Sequence, residues 1–381
     1  MQIVQIGQFP LSGKLACGGV EASVLGLACE QAKSHCVVVM DMPRKGIVDT
    51  VEHIENVTIY RYCNQGGHNK DAITRVGDIV EKITSLQPSV CHIHGTGLFS
   101  WKMFESLTGK GIPMMLTVHG LINEEKRKSL NNHFSFKILY QLWTQTSAER
   151  QLLQSASKAI VDTQYVAEQI GKYGLLSIPK LTVIPQGIDD VFFDLSCSRD
   201  SQMILSVGVF SPRKGHLFMI QAFERTSKKY PDATLTICGV VSDKAYFKDV
   251  VEYVKASPCK NKISILTNLP KDRLYALYKQ AHIFALHSQE ESQGIVFAEA
   301  MAVGLPVVAT NVGGIPYVVE NEVTGLLSSY GDIAEFACSL ERLLTDDSKW
   351  GKMSVAGKVV SHQYAWSSIA QRVEAAYLAV V

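Results

Sequence analysis

Short apolar runs recur along the chain and alternate with longer segments whose apolar residues return at helical spacing. In the first half the runs are MQIVQIG, CVVVM, VTIYRYC, SVCHIHG, IPMMLTVHG, KAIVDT and KLTVIPQG; in the second half they are QMILSVGVF, ATLTICGV, KISILT, HIFALHS and LPVVATNVGG. Continuous apolar strands that are bounded by Gly or Pro and separated by helices are typical of parallel sheets covered on both faces. The pattern therefore predicts an α/β protein built from two Rossmann-like, doubly wound parallel-sheet domains.

The domain boundary is predicted where IPQGIDDVFFDLSCSRDSQ, residues 184–202, ends a strand at a glycine and continues in polar residues. A chain of 381 residues is long enough for two cores. We predict a first domain over 1–187, a second over 188–362, and a terminal helix over 363–381 that packs back on the first domain because its apolar positions repeat at helical spacing. Ligands of such folds bind beyond the carboxyl ends of the strands, which predicts a cleft between two facing domains.

Composition narrows the function classes. A formal net charge of +1 argues against nucleic acid as a partner, because phosphate binding usually leaves a basic domain. No apolar run reaches the roughly 18 residues of a membrane span, and the N-terminus lacks a basic start with an apolar core, so we expect a cytoplasmic protein. The nine cysteines include no C-x-x-C pair and are expected to be reduced core thiols.

A glycine pair follows the first strand. Gly18 and Gly19 precede a helix predicted to begin near Val20, and such a turn lets backbone N–H groups and the positive helix end approach a phosphate. A tight strand-to-helix turn explains the same pair without a ligand. Spacing excludes a P-loop in GQFPLSGKL, and GTGLFS lacks the third glycine of a dinucleotide fingerprint, which argues against kinases and dehydrogenases.

Two cations stand at a strand end in the second half. In SVGVFSPRKGHLF, Arg213 and Lys214 lie between a predicted strand and a helix that begins near His216. A guanidinium and an ammonium group there can neutralise a diphosphate. The alternative is a solvated basic turn.

Two glutamates flank a glycine in HSQEESQGIVFAEAMAVGLP. If Gly294 begins the helix, Glu291 lies just outside it and Glu299 lies in its second turn. Carboxylates accept hydrogen bonds, which suits the hydroxyls of a ribose or hexose, whereas two glutamates on one loop and helix are poorly placed to flank a glycosidic bond as in a glycosidase. Charges on a wet helix face are the alternative, although the apolar neighbours of Glu299 indicate that it needs a partner.

Histidines end two predicted strands. His119 ends an apolar strand of the first domain and is expected to face the cleft, while a capped structural residue is the alternative. His92 and His94 share a strand face without a third ligand spaced nearby, so we interpret them as structural or cleft-lining, and we predict no metal site. The chain contains no D-x-D sequence, which argues against a magnesium-held nucleotide diphosphate.

These residues together resemble the retaining glycosyltransferases of the family-4 type, the glycosyltransferases group 1, which have the GT-B fold. The resemblance runs from GGVE through VIPQGID, VGVFSPRKG, the E-x7-E segment with EAMAVGLPVVAT and VGGIPYVVE to the terminal helix, and the E-x7-E segment is its most specific part.

The resemblance implies a role for each candidate residue. Gly18 and Gly19 match the backbone loop against the donor diphosphate, and Lys214 with Arg213 matches the cations that bind it. Glu299 matches the glutamate that holds the nucleotide ribose, and Glu291 the one near the donor sugar. Backbone N–H groups at Gly294 and Ile295 complete the pocket, and His119 matches the histidine near the reactive end of the sugar.

The chain departs from the family pattern at three positions. Val209 stands where the family usually has Arg, Gln293 replaces a phenylalanine, and Gln186 replaces an asparagine. The first departure removes a cation from the leaving-group site, which Arg213 then has to supply.

The resemblance implies a metal-free, retaining transfer of sugar from a nucleoside diphosphate to an acceptor hydroxyl, with no cofactor required. The implied partners are a UDP- or GDP-type sugar and a sugar or lipid-linked acceptor, in surface polysaccharide or glycoconjugate synthesis. The segment with Lys126, Arg127, Lys128, Phe134 and Trp143 adds the hypothesis of peripheral membrane contact. A nucleotide-sugar epimerase and a non-catalytic nucleotide-sugar-binding subunit stay open as alternatives.

Overall fold

The chain divides into two compact parts in the computed structural model. The model describes residues 1–11, 18–64, 71–122, 136–174, 180–198 and 201–381, with Asp71 and residues 136–142 described by their backbone alone. The N-terminal unit comprises Met1–Gly187 and Trp366–Val381, and the C-terminal unit comprises Ile188–Ala365. The first division coincides with the predicted boundary. The second lies three residues later than predicted, because the backbone N–H of Ile188 donates to the carbonyl of Tyr364 (2.9 Å) and keeps residues 363–365 with the C-terminal unit.

The sheet of the N-terminal unit has eight strands in the order β3-β4-β2-β1-β5-β6-β7-β8. Only β3 pairs antiparallel, with β4; the other pairs are parallel. The strands are β1 (Gln2–Gly7), β2 (Cys36–Asp41), β3 (Thr50–Ile54), β4 (Val57–Arg61), β5 (Val90–His94), β6 (Met114–Val118), β7 (Ala159–Val161) and β8 (Leu181–Val183). The sequence patterns found all of these except β3, an edge strand whose side chains are mostly exposed and therefore give no apolar run.

Helices cover both faces of this sheet. They are α1 (Gly19–Gln31), α2 (Val76–Leu86), α3 (Leu98–Leu107), α4 (Phe136–Ser155) and α5 (Gln164–Lys172). Alternate residues of the inner strands enter opposite cores: Val4 and Val38 join one apolar cluster, while Ile3 and Val37 join the other. Burial on both faces is the reason why most positions of the inner strands are apolar.

The C-terminal unit is a second parallel sheet, of six strands in the order β11-β10-β9-β12-β13-β14. Its strands are β9 (Met203–Val207), β10 (Thr234–Gly239), β11 (Ile263–Thr267), β12 (Ile283–Leu286), β13 (Val307–Thr310) and β14 (Gly325–Ser328). Its helices are α6 (Val191–Asp194), α7 (His216–Lys229), α8 (Lys244–Ala256), α9 (Lys271–Gln280), α10 (Ile295–Val303), α11 (Ile333–Thr345) and α12 (Asp347–Ser361). The sequence patterns missed β14, which is four residues long and begins with a glycine. Two parallel-sheet α/β units confirm the predicted fold class.

The terminal helix α13 (Trp366–Tyr377) belongs to the N-terminal unit, where it packs on α1. The Trp366 ring occupies the space beside Gly26 of α1, where a Cβ would lie 2.1 Å from the ring. It also lies against Gly187, where a Cβ would approach the ring to 2.5 Å. Two glycines thus make room for one indole, which fixes the position of the helix.

Candidate active site

The loops that follow β9 and β12 lie side by side in the C-terminal unit. The backbone N–H of Gln289 donates to the carbonyl of Arg213 (2.8 Å), and the Arg213 guanidinium donates back to the carbonyl of Glu290 (3.2 Å). Gly215 makes this approach possible: its φ is +62°, and a Cβ there would lie 1.9 Å from the carbonyl oxygen of His287. The loop contacts therefore place the two predicted cations beside the first predicted glutamate.

Lys214 and Glu291 form a buried ion pair between these loops. The Lys214 ammonium group donates to Oε1 of Glu291, and the hydroxyl of Ser288 donates to the same oxygen (2.8 Å). Arg213 Nη1 lies 3.7 Å from the other carboxylate oxygen. Burial by itself would raise the pKa of Glu291, but Lys214, Arg213 and the two hydrogen bonds hold the pKa below its ordinary value, so the group is an anion at neutral pH.

The loop of Glu291 leads directly into α10, as predicted. Gly294 has a φ of +79° and precedes the helix, which begins at Ile295. The first N–H groups of a helix have no acceptor within it, and the helix end is positive, so this corner favours an anion. The segment after β13 also holds the loop of Glu291, because the N–H of Gly314 donates to the carbonyl of Glu291 (2.7 Å).

Glu299 lies in the second turn of α10, away from the ion pair. Its Oε2 accepts a hydrogen bond from the hydroxyl of Tyr278 (2.7 Å), which supplies the partner that its apolar surroundings demand. Burial is the main reason why the pKa of Glu299 rises to about 7, while the Tyr278 hydrogen bond counteracts the rise. The carboxyl group is thus close to half ionised at neutral pH.

Gly18 and Gly19 lie at the start of α1 in the N-terminal unit. Gly18 is extended, with a φ of −176°, and apart from its chain neighbours no atom of the described residues lies within 4 Å of where its Cβ would be. A Cβ on Gly19 would lie 3.3 Å from Oε1 of Gln186. Residues 12–17 of this loop lie outside the described residues.

Charged side chains that sequence reasoning missed hold the backbone of Phe9 and Pro10, at the described start of that loop. Asp41 accepts from the N–H of Phe9 (2.9 Å) and from Arg61 (2.8 Å), and Arg61 also donates to the carbonyl of Pro10 (2.7 Å). Arg44 donates to Asp41 (3.1 Å) and to the carbonyl of Phe9 (2.6 Å). Both arginines therefore anchor the loop that leads to the glycine pair.

His119 directly follows β6 and is enclosed by polar groups of the N-terminal unit. Its Nδ1 lies 3.1 Å from Nε2 of Gln186 and 3.5 Å from Oδ2 of Asp162, and its Nε2 lies 3.2 Å from Nδ1 of His94. Burial lowers the pKa of His94 well below the ordinary value, so that histidine is neutral at pH 7. Both ring nitrogens of His119 thus have partners within the unit, and its place beside the donor sugar stays a prediction.

His92 also has partners inside the unit. Its Nδ1 lies 2.7 Å from the hydroxyl of Tyr377 on α13, and its Nε2 lies 2.6 Å from the hydroxyl of Thr117. Burial lowers the pKa of His92 to about 3. These contacts give His92 a role in joining α13 to β5 and β6. Over the described ranges, no cluster of three or more His, Cys, Asp or Glu side chains is arranged to hold a metal ion.

Two family models match the chain. The model described as "Glycosyl transferases group 1" matches residues 188–359, and "Glycosyltransferase Family 4" matches residues 17–192. The chain belongs to the group 1 glycosyltransferases. The two matches meet where the structure divides the chain into its two units.

Curated relatives carry glycosyltransferase names. D-inositol 3-phosphate glycosyltransferase of Corynebacterium diphtheriae is 25% identical over 97% of this chain and 91% of that protein. The putative glycosyltransferase YtcC of Bacillus subtilis is 34% identical over 48% of this chain and 46% of that protein.

Solved structures share the GT-B fold over the full chain. Sucrose-phosphate synthase from Thermosynechococcus elongatus has a TM-score of 0.80 at 20% identity, covering 100% of this chain and 99% of that one. Anabaena HepE, solved in complex with UDP-glucose, has a TM-score of 0.76 at 19% identity and 100% coverage of both chains. At these identities the likeness shows the fold.

Val209 of this group 1 glycosyltransferase, the position at which the resemblance implies a missing arginine, lies just after β9. Val209 is half-buried and follows Gly208, whose carbonyl lies so close to Gly239 that a Cβ there would meet it at 1.9 Å. The aliphatic part of Lys214 runs over Gly208, with Cδ 3.5 Å from where a Cβ would be. The cations next to this strand end are therefore Lys214 and Arg213, and Arg213 is the more exposed of the two.

Sequence reasoning missed the supporting side chains of this glycosyltransferase. Ser288, Tyr278, Asp41 and Asp162 each hold a predicted site residue or its loop. Only Ser288 had a local signal, because it stands three residues before Glu291 in the same loop. The others reach their partners from distant elements, which no local pattern records.

Proposed function

We propose that this protein is a retaining, metal-independent glycosyltransferase that moves a sugar from a UDP- or GDP-type donor to an acceptor hydroxyl. The observation that carries the proposal is the buried Lys214–Glu291 pair beside Arg213, at the strand end between two helix starts. When the bond from the anomeric carbon to the diphosphate breaks, negative charge grows on the leaving phosphate. Lys214, Arg213 and the first N–H groups of α10 are the groups that would stabilise it.

The glutamates would bind the two sugars of the donor. Glu299 keeps Oε1 for a ribose hydroxyl while Oε2 accepts from Tyr278, and Glu291 would accept from the transferred sugar while it orients Lys214. The complexes of HepE with UDP-glucose and with UDP support a uridine donor for this chain. Gly18 and Gly19 as a diphosphate loop, His119 at the sugar and independence from metal stay parts of the proposal.

The acceptor is proposed to be a sugar or a lipid-linked sugar, in polysaccharide or glycoconjugate synthesis. Relatives named for D-inositol 3-phosphate support a small polar acceptor as the other class. The segment behind the hypothesis of membrane contact lies largely outside the described residues; of its side chains the structure describes Trp143, which is 67% exposed. None of the described helices has the length and apolarity to cross a bilayer.

Activity on a panel of UDP-, GDP- and ADP-sugars tests the proposal. We expect one donor to raise Tm, because a ligand that binds only the native state stabilises it, and NMR of the product to show a retained anomeric configuration. With an excess of EDTA the rate should not change. Incubation with donor alone separates the alternatives: slow hydrolysis supports a transferase, a rearranged sugar an epimerase, and binding without turnover a non-catalytic subunit.

Lys214→Ala should lower kcat/KM by about 100-fold or more, since removal of one group that stabilises charge in a transition state typically costs this much. The matched control is Lys229→Ala, which removes an exposed lysine on α7 that pairs with Glu341. Steady-state kinetics with the best donor measure the effect. Wild-type kcat/KM in the Lys214 variant would remove the leaving-group role from the proposal.

A further inference from the structure

Tyr278 on α9 is fully buried, and its surroundings fix its ring. The ring lies parallel to that of Phe284 (centroids 6.0 Å apart, 3° between planes), and the edge contact with Phe192 has a centroid distance of 5.1 Å. A buried phenol needs a hydrogen-bond partner, and here the acceptor is Oε2 of Glu299 at 2.7 Å. The packing of the ring thus directs the hydroxyl at that oxygen.

Glu299 is half-buried, and one oxygen of its carboxyl group accepts the hydrogen bond from Tyr278. The bond to Tyr278 uses Oε2 and sets the rotation of the carboxyl group, which leaves Oε1 for another donor. Glu299 follows the start of α10 by one turn. Burial and, to a smaller extent, the charge of Glu299 raise the pKa of Cys238, which lies near the carboxyl end of β10. Ligands of doubly wound folds bind at these ends.

We propose that Tyr278 is a positioning residue for donor binding, whose hydroxyl orients the Glu299 carboxylate so that Oε1 accepts the ribose hydroxyls of a nucleoside diphosphate. The inference rests on the proposed function, because it takes Glu299 as the ribose-binding residue. Tyr278 itself does not contact the substrate in this proposal. Tyr278 acts through Glu299 alone.

The surroundings of Glu299 make the role measurable by pH. The titratable and charged groups that face it are Tyr278, Tyr275 and Lys271 from α9, Cys238 from β10, and Asp189 from the segment before α6. Burial raises the pKa of Glu299 to about 7, and the Tyr278 hydrogen bond keeps it from rising further. An ionised carboxylate is the better acceptor, so affinity should increase as pH rises through about 7. Without the hydroxyl, the midpoint should move to higher pH.

Tyr275 offers a matched control on the same helix. Its hydroxyl also donates to a carboxylate, Oδ2 of Asp189 (2.8 Å), and its ring also makes an edge contact with Phe192 (5.2 Å). Tyr275→Phe and Tyr278→Phe each remove one hydroxyl from α9 and keep the ring. Only the second change removes a bond to Glu299.

The experiment measures Kd by calorimetry for UDP, GDP and ADP, and then for the 2′-deoxy form of the tightest of the three, from pH 5.5 to 8.5. For the wild type we expect the ribose form to bind about 10-fold tighter than the 2′-deoxy form, the worth of one hydrogen bond to a charged group. In Tyr278→Phe the ratio should fall below about 3-fold and the pH midpoint should rise. Tyr275→Phe should keep the wild-type ratio and midpoint.

Two results would overturn the inference alone: an unchanged ratio and midpoint in Tyr278→Phe, or the same loss in Tyr275→Phe, which would indicate a general disturbance of α9. The ratio compares two ligands on one protein, so a partial loss of folded protein does not imitate the expected effect. Failure of the proposed function is distinguishable. If the proposed function itself is wrong, the wild type should bind none of the three nucleotides, or Glu299→Gln should keep the wild-type ratio of affinities for the ribose and 2′-deoxy forms.

Discussion

Lys214 and Glu291 each supply the charge that the other needs in a buried place. Lys214 is 9% exposed and Glu291 4%, and an unpaired charge at such a depth is costly. The pair also keeps the ammonium group beside the strand end, where the leaving phosphate is proposed to develop charge. A residue that looks like a second sugar-binding acid in the sequence is thus also the counter-ion of the proposed catalytic lysine.

At the residue scale, Glu291→Gln should destabilise the protein by about 3 kcal/mol at pH 7, because it leaves Lys214 buried without a counter-ion. The folded-state pKa of Glu291 lies below its ordinary value of 4.5, so its contribution is fully present above pH 4.5 and is lost as pH falls through the folded-state pKa. The difference between variant and wild type should therefore shrink toward pH 3. Urea denaturation at pH 7, 5 and 3.5 measures it.

Glu105→Gln is the control, since Glu105 forms an exposed pair with Lys102 (2.6 Å) and its loss should not measurably change stability. A constant difference between Glu291→Gln and wild type across the whole pH range would contradict an ionised Glu291 in the folded protein.

At the element scale, glycines decide how closely the site loops approach one another. Gly215 ends the turn of Arg213 and Lys214 and allows the backbone of His287 to pass. Gly294 directly precedes α10, and Gly313 fits against the carbonyl of Glu291. Each has a positive φ, which other residues adopt only with strain. The sequence shows these glycines, but it does not show which of them has a neighbour at van der Waals distance.

Gly215→Ala tests this close approach. We expect a loss of about 3 kcal/mol, because the strain of a φ of +62° adds to a Cβ at 1.9 Å from the carbonyl of His287. Gly331→Ala isolates the backbone strain and should cost about 1 kcal/mol, since Gly331 has a φ of +85° and, in the part of the chain that the structure describes, only its chain neighbours come within 4 Å of a Cβ. Guanidinium denaturation compares the two variants. Equal losses would mean that the loops do not meet as described.

At the scale of the whole molecule, the chain leaves the N-terminal unit at Gly187 and returns to it at Trp366. The returning helix completes an apolar cluster formed with α1 and one face of the eight-stranded sheet. Its Tyr377 hydroxyl reaches His92, so α13 is also joined to the polar interior of the unit. The stability of the N-terminal unit therefore depends on the last sixteen residues.

Trp366→Ala should destabilise the protein by about 4 kcal/mol, since it leaves a large cavity between Gly26 and Gly187. Trp143→Ala is the control, because that ring is 67% exposed and its loss should cost less than about 0.5 kcal/mol. Hydrogen exchange should increase in β1 and α1 and stay unchanged in β9 and β10. A uniform increase over both units would argue against the division of the chain at Trp366.

The sequence by itself determined the fold class and the starts of the site helices. Strands buried on both faces must be mostly apolar, which makes the fold class visible in the sequence. Turns that end in glycine are also visible locally, so the helices at Gly19, His216 and Ile295 were predicted to within a residue. The exposed edge strand β3 and the short strand β14 carry no such signal.

Only the tertiary structure decided the partners. Lys214 meets Glu291 across 77 residues, Tyr278 meets Glu299 from another helix, and His92 meets Tyr377 across 285 residues. Periodicity and spacing record which face of an element a residue occupies, but not which distant element lies opposite. Packing decides which charged side chains neutralise each other and at which carboxyl group burial raises the pKa.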